Sequence, residues 1–392
     1  MKKSEFKRKL KKEDLFYDII STILRPFLRF RYDIKTHNKD ILKSKEPYLI
    51  IGNHVMADDP VIVNFHSNKL IRYIASDTNY DTTWKRVVLS MGGAIPFSKG
   101  NSDFKAVKHL LRLVKNNKPV GLYPEGGRCW SGETEEIIFS TAKLIKILNT
   151  TVYRVMTKGG YLKKPRWADK YRKGKIHFYY DVLFKKEEIK NLTAEEIYVK
   201  MKSAIYHNEY KWQKENSYIY KGKNRAEHIE RLLYLCPNCK GFDTISSRED
   251  SFKCSECKTA WKINDYGFIE GDYYDNTVDW NLWQKEILNN KLKNSEIEIE
   301  TGSIDIKKFD KDGKKLYNKK VSIRLDSKNL IIQGEGIEEN INVENIRAIS
   351  ITLLDIFEFY NKENEKYRII FNPEINPSII YFLETLKFYS RR

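Results

Sequence analysis

Apolar and polar positions along this chain follow two rhythms. After a lead-in of residues 1–12 that holds seven Lys and Arg against one Glu, Phe16, Ile19, Ile20, Ile23, Leu24, Phe27 and Leu28 recur every three or four residues, the spacing of one apolar stripe on a helix. Arg25, Pro26 and Arg29 interrupt the segment, so it predicts an amphipathic helix and not a spanning one. Such a stripe either packs on the rest of a domain or lies in a membrane interface, where the cationic lead-in meets anionic headgroups.

From Pro47 onward, short apolar runs alternate with helix-period segments. Residues 48–51, 70–75, 94–97 and 120–123 read as strands, and Ser102 is the expected N-cap of a helix with Phe104, Val107, Leu110, Leu111 and Val114 on one face. Further strands at 152–156 and 175–183 and a helix at 194–206 complete an α/β domain with a central mixed sheet, ending near residue 230. Later the rhythm becomes β-like. Residues 321–325, 355–360 and 366–371 read as strands and 377–389 as a closing helix, an architecture that resembles a pleckstrin-homology or GRAM-like barrel.

Between these parts stand Cys236 and Cys239, then, after 14 residues, Cys254 and Cys257. Two Cys-x2-Cys pairs at this spacing close a tetrahedron around Zn²⁺ and resemble a zinc ribbon. A hairpin so short cannot bury a core, so the metal is expected to supply its folding energy. The expected organisation is residues 1–230 for the α/β domain with its amphipathic helix, 234–262 for the ribbon, 263–294 for a linker with a helix around 280–292, and 295–392 for the β-rich domain. Only Cys129 is left over, which fits a reducing compartment better than a disulfide scaffold.

At 392 residues, 41% hydrophobic and 13% aromatic, the chain can bury several cores and is not expected to be disordered. Its net charge of +18 is unevenly spread: residues 263–392 hold 19 Lys and Arg against 23 Asp and Glu, so the whole excess belongs to the front. Such an excess draws a protein to nucleic acid or to an acidic membrane face. The acidic tail argues for a scaffold and against an electrostatic headgroup reader. No apolar run reaches 18 residues and no signal peptide is visible, so an intracellular location is expected.

The candidate chemistry lies at strand ends. In "YLIIGNHVMADDP" an apolar run empties into Asn53-His54, with Asp59 at the start of a helix expected near Pro60. An imidazole accepts a proton near neutral pH, and a carboxylate on its other nitrogen fixes the tautomer and stabilises the imidazolium. Alone, such a pair is also a common structural hydrogen bond. "GGAIPFSKG" sets Lys99 beyond one strand, and "LYPEGGRCWSG" sets Glu125, Gly126, Gly127 and Arg128 beyond another. A Gly-Gly turn lets backbone N–H groups approach an anion, and two cations suit a phosphate. Singly, each is an ordinary turn with a solvated charge.

Together, in this order, the three stretches resemble the glycerolipid acyltransferases of the lysophosphatidic acid type. Asn53, His54 and Asp59 correspond to the family's Asn-His-x4-Asp block, Gly93 to Lys99 to its second block, and Tyr123, Pro124, Glu125, Gly126 and Arg128 to its third. Residues 152–160 meet the fourth loosely, so the resemblance spans about residues 15–215. Lys99 stands where the family usually has Arg, keeping the charge without the planar fork, and Gly127 stands where Thr is usual.

The resemblance implies an enzyme that moves a fatty acyl group from acyl-CoA or acyl carrier protein to the free hydroxyl of a lysophospholipid, with 1-acylglycerol-3-phosphate as acceptor and phosphatidic acid as product. His54 is the general base and Asp59 its orienting partner. Lys99 and Arg128 anchor the acceptor's phosphate, and Glu125 and the Gly126–Gly127 backbone shape that pocket. A cytoplasmic protein, peripheral on the inner face of the cell membrane, is the corresponding expectation. Two other readings start elsewhere: a basic zinc-ribbon protein that binds nucleic acid, and an inactive acyltransferase-like lipid-binding adaptor. Nucleic acid is the less expected partner, because no aromatic and basic stacking platform is visible, and intact His54 and Asp59 speak against the adaptor.

Overall fold

The computed structural model describes residues 3–76, 83–97 and 104–391. They fall into two compact units, one of Met1–Arg166 with Arg172–Lys221, the other of Trp167–Tyr171 with Gly222–Arg392.

In the first unit, strands β1 (Asp33–His37), β2 (Tyr48–Gly52), β3 (Arg72–Ser76), β4 (Ile95–Phe97), β5 (Val120–Leu122), β6 (Thr151–Lys158) and β7 (Lys175–Phe184) form one sheet. Its order is β1-β7-β6-β2-β5-β3-β4. Every neighbouring pair is parallel except the antiparallel β6 and β7, so the sheet is mixed as the sequence predicts. All five residues of β2 are buried, which is why it reads as a continuous apolar run. Strand β1 escapes that reading because Asp-Ile-Lys-Thr-His is half-exposed at the sheet edge and has almost no apolar signal.

Around the sheet run α1 (Lys3–Arg31), α2 (Asp59–His66), α3 (Thr83–Met91), α4 (Phe104–Lys115), α5 (Ser140–Leu148), α6 (Gly160–Lys163), α7 (Lys186–Ile189), α8 (Ala194–Ile205) and α9 (Glu209–Asn216). Leu49 and Ile51 of β2, with Val120, Leu122 and Val152, bury one face against Leu110 and Leu113 of α4, Ile145 of α5 and Ile197 and Met201 of α8. Helix α8 opens on a capping box in which Thr193 and Glu196 satisfy each other's backbone N–H groups. Ser102, expected to cap α4, lies outside the described residues.

Helix α1 docks by a face the apolar periodicity does not mark. Phe6, Leu10, Glu13, Tyr17 and Ser21 are buried. Arg72, only 1% exposed, holds Glu13 through Nε at 2.8 Å and Asp14 through Nη2 at 2.8 Å. The Tyr17 hydroxyl donates to the carbonyls of Asn64 (2.6 Å) and Ser67 (2.9 Å). Removing one partner of a buried pair such as Arg72–Glu13 costs about 3–5 kcal/mol, because a charge is left unmatched. Much of the sequence stripe is left outside: Ile19, Ile23 and Phe27 are exposed, as are Leu15 and Phe30. No helix among the described residues is long and apolar enough to cross a membrane.

In the second unit, β8 (Ile245–Arg248), β9 (Ser251–Cys254), β10 (Ala260–Ile263) and β11 (Ile269–Glu270) form an antiparallel sheet in reverse chain order. Helix α10 (Thr277–Lys293) does more than link: Trp280 meets Trp261 edge-on at 4.9 Å between ring centroids, Trp261 stacks on Phe252 at 5.4 Å, and Trp280 Nε1 donates to the Leu235 carbonyl. The small sheet thus shares a core with the neighbouring helix.

Eight strands follow, β12 (Ile299–Glu300), β13 (Ile304–Phe309), β14 (Lys315–Leu325), β15 (Asn329–Gly334), β16 (Ile337–Asn342), β17 (Arg347–Thr352), β18 (Ile356–Tyr360) and β19 (Lys366–Ile370), then α11 (Ile379–Tyr389). The main path, β16-β15-β14-β13-β19-β18-β17, is antiparallel throughout, with β12 added beside β14. Phe382 of α11 packs on Phe357 and Phe371. An ion network around the buried Arg231 completes this unit. Arg231 holds Asp355 (2.7 Å) and Asp169 (2.9 Å), and His228 stands 3.1 Å from Asp169 and 3.5 Å from Glu230.

Candidate active site

Strand β2 ends on a glycine for a steric reason, since a Cβ at Gly52 would stand 2.2 Å from the Val155 carbonyl oxygen of β6. Asn53 then continues the pairing with its side chain. Its Nδ2 donates to the Thr157 carbonyl and its Oδ1 accepts the Thr157 N–H, both at 2.8 Å. This two-point clamp on β6 launches the next residue from a fixed place.

That residue is His54. Its N–H donates to Glu125 Oε1 at 2.6 Å, its carbonyl accepts the Cys129 N–H at 2.9 Å, and its ring stacks on Tyr123 at 4.2 Å. The imidazole is 19% exposed. Asp59, fully buried in the first turn of α2, places Oδ2 3.0 Å from His54 Nδ1 and accepts the N–H groups of Val55 and Met56 at 2.9 Å each on the same oxygen. Burial lowers the His54 pKa from its ordinary 6.5, Asp59 raises it, and Arg128 and Arg166 lower it. The net direction is downward. The shift favours the neutral ring, and with Nδ1 facing Asp59 the other nitrogen, Nε2, is the one left to accept a proton.

The loop after β5 holds three of the expected residues in ways the sequence did not reveal. Glu125 braces: Oε1 takes the His54 N–H and Oε2 the Glu135 N–H at 2.8 Å, and burial holds its carboxyl well above the usual range. Both oxygens are thus engaged with backbone, so Glu125 fixes His54 and does not face an anion. Gly126 sits at φ 67°, and a Cβ there would press within 2.8 Å of Ile138, so only glycine turns this corner easily. Gly127 is open enough for its missing Cβ to stand 3.5 Å from Arg166 Nη1.

Arg128 follows, near enough to His54 to bear on its protonation. Lys99, the other expected phosphate anchor, lies outside the described residues.

Arg166 is the residue that sequence reasoning missed. It is 5% exposed, lies over the Trp130 ring at 4.2 Å and donates through Nη1 to the Arg128 carbonyl at 2.6 Å. Nothing in "KKPRWADK" announces this, because the residue belongs to no motif and reaches the loop only through the fold. His66, an apolar-stretch histidine without an assigned role, bonds the Tyr180 hydroxyl at 2.6 Å.

In the second unit Cys236, Cys239, Cys254 and Cys257 bring their sulfurs within 4.8 Å of one another. Cys236 and Cys257 are 3.6 Å apart, and Cys239 and Cys254 3.7 Å. A tetrahedron of Zn–S bonds has edges of about 3.8 Å. The donor set fits a metal ion.

Residues 33–157 match the family model described as acyltransferase. Among solved structures, the chain resembles the 1-acyl-sn-glycerophosphate acyltransferase PlsC from Thermotoga maritima, with 15% identity over 52% of this chain and 80% of that one and a TM-score of 0.41. A second likeness, to inner membrane complex sub-compartment protein 3 from Toxoplasma gondii, has 11% identity over 28% of this chain and 88% of that one and a TM-score of 0.19. No curated protein matches. The matched segment runs from β1 into β6 and includes His54, Asp59 and the whole loop around Arg128. Within the first unit, then, residues 33–157 are similar to the acyltransferase family.

Proposed function

We propose that this protein transfers a fatty acyl group from an acyl thioester, carried by coenzyme A or acyl carrier protein, to the free hydroxyl of a lysophospholipid. The acceptor is 1-acylglycerol-3-phosphate and the product phosphatidic acid. The observation that carries this reading is the His54–Asp59 pair, with a ring whose Nε2 is left for substrate, beside Arg128.

The chemistry follows from these groups. His54 Nε2 takes the hydroxyl proton as the acceptor oxygen attacks the thioester carbonyl, and Asp59 stabilises the imidazolium. The tetrahedral intermediate collapses with C–S cleavage, and the imidazolium returns the proton to the departing sulfur, giving an ester and a free thiol. Arg128, with Lys99, holds the acceptor's phosphate and so sets which hydroxyl reaches His54.

Such an acceptor is presented at a lipid surface. Ile19, Ile23, Phe27 and Phe30 of α1 are exposed, and so are Trp84, Val87, Val88 and Met91 of α3, which touches α1. With the cationic start of the chain, these residues form an interfacial contact for an anionic membrane on its cytoplasmic face. The four cysteines hold structural zinc, and the antiparallel region with α11 is pleckstrin-homology-like and acts as a scaffold.

The direct test incubates purified protein with labelled acyl-CoA or acyl carrier protein and a panel of lysophospholipids. Labelled phosphatidic acid from 1-acylglycerol-3-phosphate is expected. No diacyl product with any donor and acceptor would overturn the reading.

A further inference from the structure

We propose that Arg166 is a positioning residue of the acyl-transfer site, holding the Gly126–Arg128 turn in place so that Arg128 meets the acceptor's phosphate. This rests on the acyl-transfer reading above. It concerns a residue outside all the motifs that carry that reading.

The geometry is that of a clamp. A guanidinium has a flat face and a rim of N–H donors, and Arg166 uses both: the face lies on Trp130 at 4.2 Å while Nη1 donates to the Arg128 carbonyl at 2.6 Å. Lysine offers neither a stacking face nor a second fixed donor. Gly127 gives this clamp its room, since a Cβ at that position would already stand 3.5 Å from Nη1. The contact thus reaches the backbone beside Arg128, where the direction of the Arg128 side chain is decided.

Arg166 also acts across the site through its charge. The groups bearing on His54 are Asp59 from α2, Tyr123, Glu125 and Arg128 from the loop after β5, and Arg166. Asp59 favours the protonated ring, whereas Arg128 and Arg166 oppose it. Removing the Arg166 charge therefore makes His54 easier to protonate. Activity should then begin to fail at a higher pH on the acid side.

Two variants separate geometry from charge. Arg166→Lys keeps the charge without the fork: KM for 1-acylglycerol-3-phosphate should rise about tenfold or more, as when the support of one charge-assisted hydrogen bond is lost. KM for the phosphate-free monoacylglycerol should not move, and neither should the acid limb of kcat/KM. Arg166→Met loses both, so the same KM rise should come with an acid limb displaced to higher pH. Unchanged KM for both acceptors, in variants whose circular dichroism matches the wild type, overturns the proposal. So does an equal rise for both acceptors. If Arg166→Met does not fold, Arg166→Lys alone decides through the KM comparison.

A wild-type protein that transfers no acyl group defeats the parent reading instead. In that event the His54 ring is titrated by NMR: a pKa unchanged between wild type and Arg166→Met overturns the influence of Arg166 on the site, and an upward shift upholds it.

Discussion

Asp59 Oδ2 stands 3.0 Å from His54 Nδ1 and, on the same oxygen, receives the N–H groups of Val55 and Met56. One carboxylate thus sets both the tautomer of the ring and the path of the chain that carries it. His54→Ala should lower kcat by about two to four orders of magnitude with little change in acceptor binding. Asp59→Asn should lower kcat as well and also cost about 1–3 kcal/mol of stability, since the amide weakens a buried hydrogen-bond set. Steady-state kinetics and urea melts of folded variants check both. Wild-type turnover in His54→Ala would make this stretch a structural turn.

The downward shift of His54 fixes the sign of the pH response. The base works only when neutral, so a lowered pKa keeps it competent into more acidic solution. The acid limb of kcat/KM should have its midpoint below 6.5, the ordinary histidine value. A midpoint above 6.5 would mean that Asp59 outweighs burial and the two arginines.

Much of this arrangement is legible in the sequence, and what is not has physical causes. Strands β2, β5 and β6 are apolar runs because both their faces are covered, and the residues that leave their ends are polar because they leave the core. The dyad is local, five residues apart, so spacing alone brings it together. Glu125 and Arg166 are different cases. The Glu125 carboxylate looks like a ligand for substrate but is spent on two backbone N–H groups, one of them 71 residues away. Arg166 reaches Arg128 across 38 residues, a distance in sequence that no periodicity encodes. For α1, the docking face contains Glu13 and Ser21 and is invisible to an apolar count, while Ile19, Ile23 and Phe27 of the apolar stripe lie on the outer face.

That outer face gives a membrane prediction. Ile19→Asp with Ile23→Asp should weaken binding to anionic vesicles at every salt concentration, because apolar burial is not screened. Replacing Lys7, Arg8 and Lys11 by Gln should weaken it mainly at low salt. Vesicle sedimentation across a salt series reads both. Unaltered binding in the two sets would rule out α1 as the contact.

Zinc removal should act on the second unit. Cys236→Ser with Cys239→Ser should abolish the one bound zinc per chain measured by metal analysis and lower the thermal stability of that unit. Acyl transfer should persist, because the cysteines lie outside the matched segment. Complete loss of transfer with the first unit still folded would tie the metal to catalysis.

His228 supplies a stability signature. Hydrogen bonds to Asp169 and then Glu230 raise its pKa from 6.5 to about 9. A pKa higher in the folded than in the unfolded state stabilises fully below pH 6.5, and that stabilisation is lost as pH climbs through 9. His228→Asn tolerates the left-handed backbone at this position, where φ is 68°. It should destabilise the protein at pH 6 and have a smaller effect at pH 10, as followed by denaturant unfolding at the two values. Equal losses at both would mean that the ring's charge contributes nothing.

The Asn53 clamp on Thr157 has a consequence for the birth of the enzyme. Three residue pairs hold His54 in place, Asn53 with Thr157, His54 with Glu125, and Cys129 with His54, each joining segments at least 71 residues apart. A chain emerging from the ribosome therefore has no working His54 until residue 157 has left the exit tunnel and β6 has zipped beside β2. Such non-local closure is slow compared with helix formation. The His54–Asp59 pair, though local in sequence, is thus held in place only once the long-range strand pairing around it is complete.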